Sequence, residues 1–555
     1  MLPRIPVIII AIISFALWSL WKTRRRLHER IRSTWGKAIR RERDMEAISD
    51  FFRSRDDTSG ALDDRTWNDL LLDDLFKHLD RTESTVGRQL LYHRLRSAPY
   101  RLDEFEALIQ IATADAHKRE RAQAALSRLN DPSGYYLHTL TNPSEFVRER
   151  WHFVYPVWTA AIVFALLAVP LLPSLLLIIV IAFAINFVVR FATADRISRQ
   201  VMWFRQVGPL LSAARGATAF DTSEARSIIG HLKSDLSALS RLGRIARWVS
   251  RDPATTDPIT LSIIEYLNIL FLMDVNALYF AAGELRSKSD HLRRVIEAVG
   301  EIDAAIAVAS FRTGAREWTR PRFREAHDSV TFMDLRHPLI ENAVPNSLAL
   351  APPHGLLVTG SNMSGKSTFL RTVGVNVVLA QTITTCLAVR YEAPIYRVRS
   401  CIGRADDLLA GKSYYLVEVE SVLDLVRASA SSAPHLFIFD EIFRGTNAIE
   451  RIAAAEAVLG ALIGNGKLHV VLAATHDNEL VDLLSQTFAV CHFEDMLMDE
   501  RLTFTYHLTP GPALSRNAIA LLRLNGAPES VIRQALARAA ELDGHRRNAV
   551  SSREL

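Results

Sequence analysis

Residues 356–368 read LLVTGSNMSGKST, and this stretch decides the fold of the C-terminal half of the chain. Its apolar start predicts a buried strand, the pattern Gly-x-x-x-x-Gly-Lys-Ser predicts a glycine loop, and the residues after it have helical spacing. Strand, loop and helix in that order form a phosphate-binding loop, whose backbone N–H groups meet phosphate oxygens at the helix N-terminus. A glycine-rich surface turn is the alternative interpretation, but such a turn requires neither Lys366 nor Ser367.

Each position of this loop has an expected role in binding a nucleotide. The side chain of Lys366 is expected to reach the β- and γ-phosphates, and the hydroxyl of Ser367 is expected to ligate Mg²⁺. The residues expected to contact the nucleotide are Gly360, Ser361, Asn362, Met363, Ser364, Gly365, Lys366, Ser367 and Thr368.

The composition is that of a folded, multi-domain protein and does not by itself indicate a partner. A chain of 555 residues is long enough for about three or four domains, and 49% hydrophobic residues supply their cores. The net charge of +5 is too small over this length to indicate nucleic acid. The cysteines, Cys386, Cys401 and Cys491, lack metal-ligand spacing and predict neither a zinc site nor a disulfide framework.

Two uncharged apolar stretches predict membrane-spanning segments. The first, from Ile5 to Trp21, precedes a basic run, which predicts an N-terminal anchor over 1–21 with the following residues in the cytoplasm. The second, over residues 153–189, is divided by two prolines and predicts a transmembrane hairpin over 151–194. Together they predict a multi-pass membrane protein with three spans and lipid contacts. A signal peptide and a buried helical hairpin are the respective alternatives.

The basic run begins at Lys22 and ends at Arg43, with ten Lys or Arg residues against two glutamates. Next to a membrane span, such a run is expected to touch anionic lipid headgroups, and we assign 22–61 as a basic juxtamembrane segment. Contact with DNA is the alternative.

The remaining residues divide into a helical region and a region in which strands and helices alternate. Helical spacing predicts helices over 62–150 and 195–320, on either side of the hairpin. Short apolar runs bounded by Pro, Asn and Gly predict an α/β nucleotide-binding domain over 321–545, followed by a tail over 546–555.

Two more apolar strands of this region end in residues that suit ATP hydrolysis. Residues 436–441 read LFIFDE, so that Asp440 is expected to hold Mg²⁺ and Glu441 is expected to polarise the attacking water. Residues 470–476 end in Thr-His, and His476 is expected to sense the γ-phosphate or to position water. The sequence therefore predicts a Mg²⁺ site at Ser367 and Asp440, catalytic roles for Glu441 and His476, and ATP as the nucleotide.

A further serine predicts a site shared between two subunits. Residues 411–413 read GKS, and they could start a helix that offers N–H groups to a phosphate. One subunit rarely needs a second phosphate-binding helix, so Ser413 is expected to reach the nucleotide of a partner subunit.

In their order and spacing, these motifs resemble the MutS family of DNA mismatch-repair ATPases. The motifs that carry the resemblance are RHPLIE at 336–341, VPN at 344–346, GSNMSGKST at 360–368, AQ at 380–381, GRADDL at 403–408, GKS at 411–413, DEIFRGT at 440–446, ATH at 474–476 and GAPESVI at 526–532. The resemblance implies a homodimer that sandwiches ATP, with Ser413 facing the partner's γ-phosphate, and it implies DNA as a partner. It also implies that the helices at 62–150 and 195–315 form a core and lever domain.

The chain departs from the family pattern in several places. No mismatch-reading domain fits ahead of residue 60, no connector domain or DNA clamp is apparent, and Phe323-Arg324-Glu325 matches the Phe-x-Glu motif by accident. Ala343 stands where the family often has an aromatic residue that stacks on adenine, so the resemblance implies phosphate binding more directly than adenine preference. Phe443 replaces a usual glycine, and Asn447-Ala448 alters a stretch that normally crosses the dimer.

The predicted fold is therefore a helical core and lever domain, interrupted by a transmembrane hairpin and followed by an α/β P-loop (ABC-like) ATPase domain. The first functional hypothesis is a dimeric ATPase that couples ATP binding to the binding of mismatched or structured DNA at a membrane. The second is a membrane mechanochemical or signalling ATPase that has lost mismatch recognition. The third is an ATP-binding switch that barely hydrolyses ATP, against which Asp440, Glu441 and His476 argue.

Overall fold

The chain forms two compact units, which we call the helical unit and the α/β unit. The helical unit comprises Met1–Thr58, Phe76–Leu95 and Pro99–Ala315, and the α/β unit comprises Ser59–Leu75, Arg96–Ala98 and Arg316–Leu555. The computed structural model describes residues 4–55, 59–142, 153–220, 222–223, 225–249, 258–325, 328–351, 354–361, 364–402, 414–464, 468–498, 501–513, 519, 522–523 and 525–551.

Among the described residues ahead of residue 316, all regular secondary structure is helical. The α-helices are α1 (Arg4–Thr34), α2 (Met45–Arg53), α3 (Asp64–Asp69), α4 (Leu72–Leu79), α5 (Thr85–Arg96), α6 (Leu102–Ala114), α7 (Ala116–Leu126), α8 (Val154–Ala168), α9 (Leu175–Arg205), α10 (Val207–Ala217), α11 (Arg226–Ile229), α12 (Leu232–Ala238), α13 (Ser240–Val249), α14 (Pro258–Phe271) and α15 (Met273–Gly314). Short 3-10 helices cover Ser127–Leu129, Pro132–Thr141 and Thr218–Phe220.

The core of the helical unit is built around the second half of α15. This helix is 42 residues long, bends at Lys288, where φ is −128°, and is almost wholly buried from Val295 to Arg312. The buried carboxylate of Asp303 accepts hydrogen bonds from the backbone N–H groups of Glu83 (3.0 Å) and Ser84 (2.8 Å), just ahead of α5. Asp303 thereby supplies the acceptor for two buried backbone donors that directly precede α5.

The basic run makes ion pairs inside the helical unit. Arg41 and Arg43 both contact the fully buried carboxylate of Asp80, at 2.5 and 2.7 Å. Arg30 pairs with Glu83 at 2.7 Å, and Arg32 pairs with Glu120 at 2.9 Å. These four arginines are therefore engaged with carboxylates of the same unit.

The predicted membrane spans are wrong. Among the described residues, no single helix is both long and apolar enough to cross a membrane; α14 and α15 pass that test only as a pair bent by 64°. Helix α8 has 15 residues, and at 1.5 Å per residue it rises about 22 Å, against a hydrocarbon core of about 30 Å. The uncharged part of α9 ends at Val189 and is equally short.

This finding contradicts the transmembrane hairpin over 151–194 and the multi-pass membrane localisation, and it gives no support to the anchor over 1–21 or to the lipid partner. In the helical unit, α8 and α9 instead make polar contacts with α14. The side chain of Asn186 donates to the carbonyl of Leu270 (2.7 Å) and accepts from the indole of Trp158 (2.8 Å), while Thr159 donates to Phe271 (3.0 Å). The fold class is thus a helical unit and an α/β unit, without a transmembrane hairpin.

The α/β unit contains two sheets. Its elements are β1 (Arg322–Phe323), β2 (Val330–Leu335), β3 (Asn346–Leu350), β4 (His354–Thr359), α16 (Lys366–Ile383), β5 (Arg390–Ala393), β6 (Arg397–Cys401), α17 (Tyr414–Ala428), β7 (His435–Asp440), α18 (Ala448–Ile463), β8 (Val470–Ala474), α19 (Asn478–Leu484), β9 (Ala489–Met498), β10 (Arg501–Pro510) and α20 (Glu529–Ser551). The larger sheet has the order β10-β9-β4-β8-β7-β6, and the smaller has the order β1-β5-β2-β3.

Parallel pairing in the larger sheet brings three loops to one edge. Val358 of β4 pairs with Ala474 of β8, which in turn pairs with Asp440 of β7. The interior residues of the central strands are apolar because both faces of a parallel sheet are covered. Their carboxyl ends therefore meet at the edge where open α/β sheets bind ligands.

Helix α3 belongs to the α/β unit, although it is distant in sequence from the strand that it contacts. The carboxylate of Asp69 accepts hydrogen bonds from the hydroxyl of Ser400 (2.8 Å) and the backbone N–H of Ile402 (2.9 Å). Arg399 contacts Asp63, the residue that caps the start of α3. The domain limits given from the sequence stay predictions, and the compact α/β unit includes residues 59–75.

Candidate functional site

The loop between β4 and α16 has the backbone conformation that its glycines allow. Gly360 and Gly365 have φ values of 136° and 111°, in the region that favours glycine. A Cβ atom on Gly360 would lie 2.9 Å from the hydroxyl of Ser364 and 3.0 Å from the carbonyl of Phe493. Glycine is therefore required at Gly360 on both conformational and steric grounds.

The side chain of Lys366 turns back into this loop. Its ammonium donates hydrogen bonds to the carbonyls of Gly360 (2.9 Å) and Ser361 (2.7 Å), and the residue is 5% exposed. Lys366 thus places a positive charge inside the loop, at the N-terminus of α16, where the helix dipole also attracts an anion. Asn362 and Met363 lie outside the described residues.

Ser367 and Asp440 lie together at the end of β7. The hydroxyl of Ser367 hydrogen-bonds the carboxylate of Asp440, and burial raises the pKa of this carboxyl group above its ordinary value. Within the described part of the chain, the buried Oδ1 atom of Asp440 has no hydrogen-bond partner. A buried carboxylate oxygen beside a hydroxyl is a donor set that fits Mg²⁺, which prefers oxygen ligands.

Glu441 is the residue after Asp440, and its carboxylate contacts the side chains of His476 and Arg444. Its Oε1 atom lies 2.7 Å from Nε2 of His476, and its Oε2 atom contacts Arg444. The hydrogen bond from His476, together with the nearby positive charge, holds the pKa of Glu441 below its ordinary value. Glu441 is therefore anionic at neutral pH and can accept a hydrogen bond from water.

Backbone hydrogen bonds connect the loops that carry these side chains. The N–H of Glu441 donates to the carbonyl of Ala474 (3.0 Å), and the N–H of Thr475 donates to that of Val358 (3.1 Å). After His476, the carboxylate of Asp477 receives two hydrogen bonds from Arg451, at 2.9 and 2.7 Å. The acid pair and the histidine are thus held by backbone and side-chain contacts on both sides.

Two residues near the loop were not predicted from the sequence. The carboxylate of Glu418 in α17 accepts a hydrogen bond from the backbone N–H of Phe443 (2.5 Å). Phe443 lies in the loop after Glu441 and has a positive φ of 59°. The ring of Tyr506 lies 3.3 Å from the position that a Cβ atom on Gly365 would occupy, and Tyr506 is 45% exposed.

A β-bulge explains the position of Tyr506. The register of β10 against β9 shifts between Phe504 and Leu508, and Tyr506 has a φ of 55°. Asn346 holds the bulge by donating to the carbonyl of Tyr506 (3.0 Å) and accepting from the N–H of Leu508 (2.7 Å). A bulge re-aims a side chain, and here it directs an aromatic surface toward the loop. The VPN motif that contains Asn346 was the only sequence signal near this feature.

The structure thus brings together most of the residues predicted for the site. Ser364, Gly365, Lys366, Ser367 and Thr368 lie at the start of α16, beside Asp440, Glu441 and His476. Ser413 lies outside the described residues, so its reach toward a partner subunit stays a prediction. The catalytic and ligand roles also stay predictions.

Residues 356–543 match the family model of MutS domain V. The match to MutS domain V begins in β4 and ends in α20, so it covers the candidate site. It confirms the resemblance to MutS for this part of the chain.

Individual MutS proteins are similar to the chain over about half of its length. "DNA mismatch repair protein MutS" from one strain of Thermus thermophilus is 33% identical over 272 residues, which are 48% of this chain and 32% of the relative. The protein of the same name from one strain of Chloroflexus aurantiacus is 34% identical over 274 residues, 47% of this chain and 28% of the relative. The chain thus spans about a third of the length of the MutS relatives it matches.

Proposed function

We propose that this protein is a MutS-type ATPase that binds ATP and Mg²⁺ at the carboxyl edge of the larger sheet. The observation that carries the proposal is the meeting of the Lys366 ammonium, the buried Oδ1 atom of Asp440 and the Glu441–His476 pair at one edge. The match to MutS domain V over the same residues supports it.

The residues of the loop would hold the phosphates. A bound phosphate competes with the carbonyls of Gly360 and Ser361 for the ammonium of Lys366, because an anionic acceptor makes the stronger hydrogen bond. Ser367 and Asp440 would hold Mg²⁺, which neutralises charge on the β- and γ-phosphates when it is bound. Ala343 has no aromatic ring to stack on the base. The exposed ring of Tyr506 would offer that stacking surface instead.

Glu441 would orient the attacking water. Of its two oxygens, one contacts His476 and the other contacts Arg444. Water can reach the carboxylate most directly at the Arg444 side, because that guanidinium is 46% exposed and can move into solvent. His476 would keep Glu441 ionised and in position while Arg444 moves.

DNA and a second copy of the chain are the proposed partners. The relatives are named as DNA mismatch repair proteins, and we extend mismatched or structured DNA to this chain as the ligand whose binding ATP controls. In a homodimer, Ser413 of one protomer would face the γ-phosphate bound at Lys366 of its partner.

The test is the ATPase rate of the full chain with and without homoduplex, mismatched and branched DNA, at low and moderate salt. Glu441→Gln is expected to lower the turnover rate by about 100-fold or more, while ATP binding is retained. Glu529→Gln, which removes an exposed carboxylate at the start of α20, is the matched control. Wild-type turnover in Glu441→Gln would contradict the role of Glu441, and a rate indifferent to every DNA would contradict DNA coupling.

A further inference from the structure

The segment at the start of the α/β unit exposes every second residue; it bends at Arg316 and Glu317 and runs along the smaller sheet from Trp318 onward. The exposed residues are Arg316, Trp318, Arg320, Arg322 and Arg324, and the residues between them are buried or half-buried. We call these five residues the arginine face. In an extended chain, alternate side chains point the same way and stand about 6.6 Å apart.

Hydrogen bonds hold the segment in this extended form. The backbone of Thr319 exchanges two hydrogen bonds with that of Cys386, at 2.8 and 3.0 Å. Farther along, Arg322–Phe323 forms β1, which pairs with β5 at the outer edge of the smaller sheet. The side chains from Trp318 to Arg324 are therefore held by pairing with the sheet, and Arg316 precedes them in a bend.

Arg322 and Arg324 of the arginine face, together with the neighbouring Arg390, carry more positive charge than the nearby carboxylates of Glu392 and Asp328. The carboxylate of Glu392 is shared by Arg322 (3.6 Å), Arg324 (2.8 Å) and Arg390 (2.9 Å). Asp328 also acts on Arg324 and helps to raise its pKa. The three guanidinium groups therefore exceed these two carboxylates by one positive charge, and their N–H donors outnumber the acceptor sites that two carboxylates offer. The side chains of the three arginines are 76%, 45% and 51% exposed, whereas that of Glu392 is 8% exposed.

Protection of a sheet edge is the simplest use of such charges, because charged side chains prevent edge strands from pairing with other chains. Two features go beyond that use. The charges are all arginine, whose planar group binds phosphate in a bidentate manner. In addition, Trp318 is 37% exposed in the same row. An indole beside guanidinium groups matches the way proteins bind unpaired nucleotides, by stacking on bases and neutralising phosphates.

We propose that the arginine face binds single-stranded DNA, with the arginines on its phosphates and Trp318 stacked on a base. The inference deepens the proposed function, from which it takes DNA as the partner, and it assigns a place where the strand lies. A single strand is favoured over a duplex because a base can stack on Trp318 only when it is unpaired.

Fluorescence anisotropy of the full chain with a labelled single strand and the matching duplex, at 50 and 200 mM salt and without nucleotide, tests this proposal. The test variant is Arg316→Gln/Arg322→Gln. The control is Arg427→Gln/Arg538→Gln, which removes two arginines of the same unit whose side chains are 75% and 73% exposed. The variant Arg316→Lys/Arg322→Lys keeps the charge but removes the bidentate geometry of the guanidinium groups. The variant Trp318→Ala removes the ring on which a base would stack.

The test variant is expected to bind the single strand about tenfold more weakly at 50 mM salt. The slope of log K against log salt should be shallower by about 1.4, since each phosphate contact on a single strand contributes about 0.7. The control should bind as wild type, and the lysine variant should keep the slope. Trp318→Ala should weaken single-strand binding about fivefold or more and leave duplex binding unchanged.

Equal losses in the test and control variants would overturn the proposal, because the effect would then follow net charge alone. Equal binding by the test variant and wild type would also overturn it, and would leave protection of the sheet edge as the use of the arginines. Binding of polyglutamate in preference to DNA would indicate an acidic protein partner and would overturn it too. A lower unfolding temperature in the test variant, without rescue by the lysine variant, would assign the arginines a structural role.

Failure here is distinguishable from failure of the proposed function. If ATP is hydrolysed but the test and control variants bind DNA alike, the arginine face is wrong and the ATPase stands. If DNA binding depends on Arg316 and Arg322 while Glu441→Gln has no effect on turnover, the arginine face stands and the proposed catalysis is wrong.

Discussion

At the scale of single residues, Tyr506 makes a prediction about the base. Its exposed ring lies beside Gly365 and can stack on a purine. Tyr506→Ala is therefore expected to weaken ATP binding by about tenfold, and Tyr506→Phe is expected to bind ATP as wild type. Titration with a fluorescent ATP analogue measures both, and equal affinities for the alanine and phenylalanine variants would show that the ring does not touch the base.

A second prediction concerns Arg444, which contacts Glu441 in the structure. Its contact with Glu441 competes with water for one carboxylate oxygen. Because the pair is partly exposed, the contact stabilises this arrangement only modestly. Arg444→Ala is expected to raise turnover at saturating ATP by about two- to fivefold. Single-turnover measurements on Arg444→Ala and Arg444→Lys test it, and a slower alanine variant would mean that Arg444 assists the reaction.

At the scale of elements, the buried contact between α15 and the start of α5 makes a prediction about pH. Burial raises the pKa of Asp303 to about 6, against about 4 in an unfolded chain. Between these two values the folded state binds more protons than the unfolded state, so the free energy of unfolding falls as pH rises. The loss amounts to about 2–3 kcal/mol and is complete above pH 6 or so.

Asp303→Asn removes this titration and should flatten the dependence of stability on pH between about 4 and 6. Urea unfolding at several pH values measures the slope in both proteins. Asp290→Asn, which removes a carboxylate of α15 whose side chain is 77% exposed, is the control and should leave the slope in place. A slope that persists in Asp303→Asn would assign the titration to another group.

Elements defined by short motifs could be predicted, and elements defined by distant contacts could not. The strand, loop and helix around Lys366 follow from local residues, as do the strands that end at Asp440 and Ala474. Their meeting at one edge follows from parallel pairing. The bulge at Tyr506 depends on Asn346, which lies 160 residues away, and it carries no local pattern.

The membrane prediction failed for a related reason. An uncharged apolar run predicts side chains shielded from water, but many apolar side chains of α8 and α9 are exposed in the structure, Phe164 by 76% and Leu167 by 75%. In the structure, Asn186 and Trp158 connect α8, α9 and α14 by polar contacts, and the uncharged parts of α8 and α9 are too short to span a membrane. The hydropathy of a sequence contains no information about such contacts between distant helices.

At the scale of the whole molecule, the α/β unit contains two distant parts of the chain, which predicts how fragments behave. Asp69 satisfies the buried donors of Ser400 and Ile402, so Asp69→Ala leaves both without their acceptor. This substitution is expected to destabilise the unit by about 2–4 kcal/mol. Thermal unfolding followed through ATP-analogue binding measures the loss. Asn68→Ala, on the exposed side of α3, is the control and should cost less.

The position of α3 also bears on the order in which the protein is synthesised. Residues 59–75 leave the ribosome long before β6, since Asp69 and Ile402 are 333 positions apart. Until β6 has been synthesised, the apolar side of α3 and the carboxylate of Asp69 are not covered by their partner strand. Closing so long a loop is slow, and chains in that state are prone to aggregate. Yield in cells should therefore depend on chaperones that hold nascent chains, more than the stability of the finished fold would suggest.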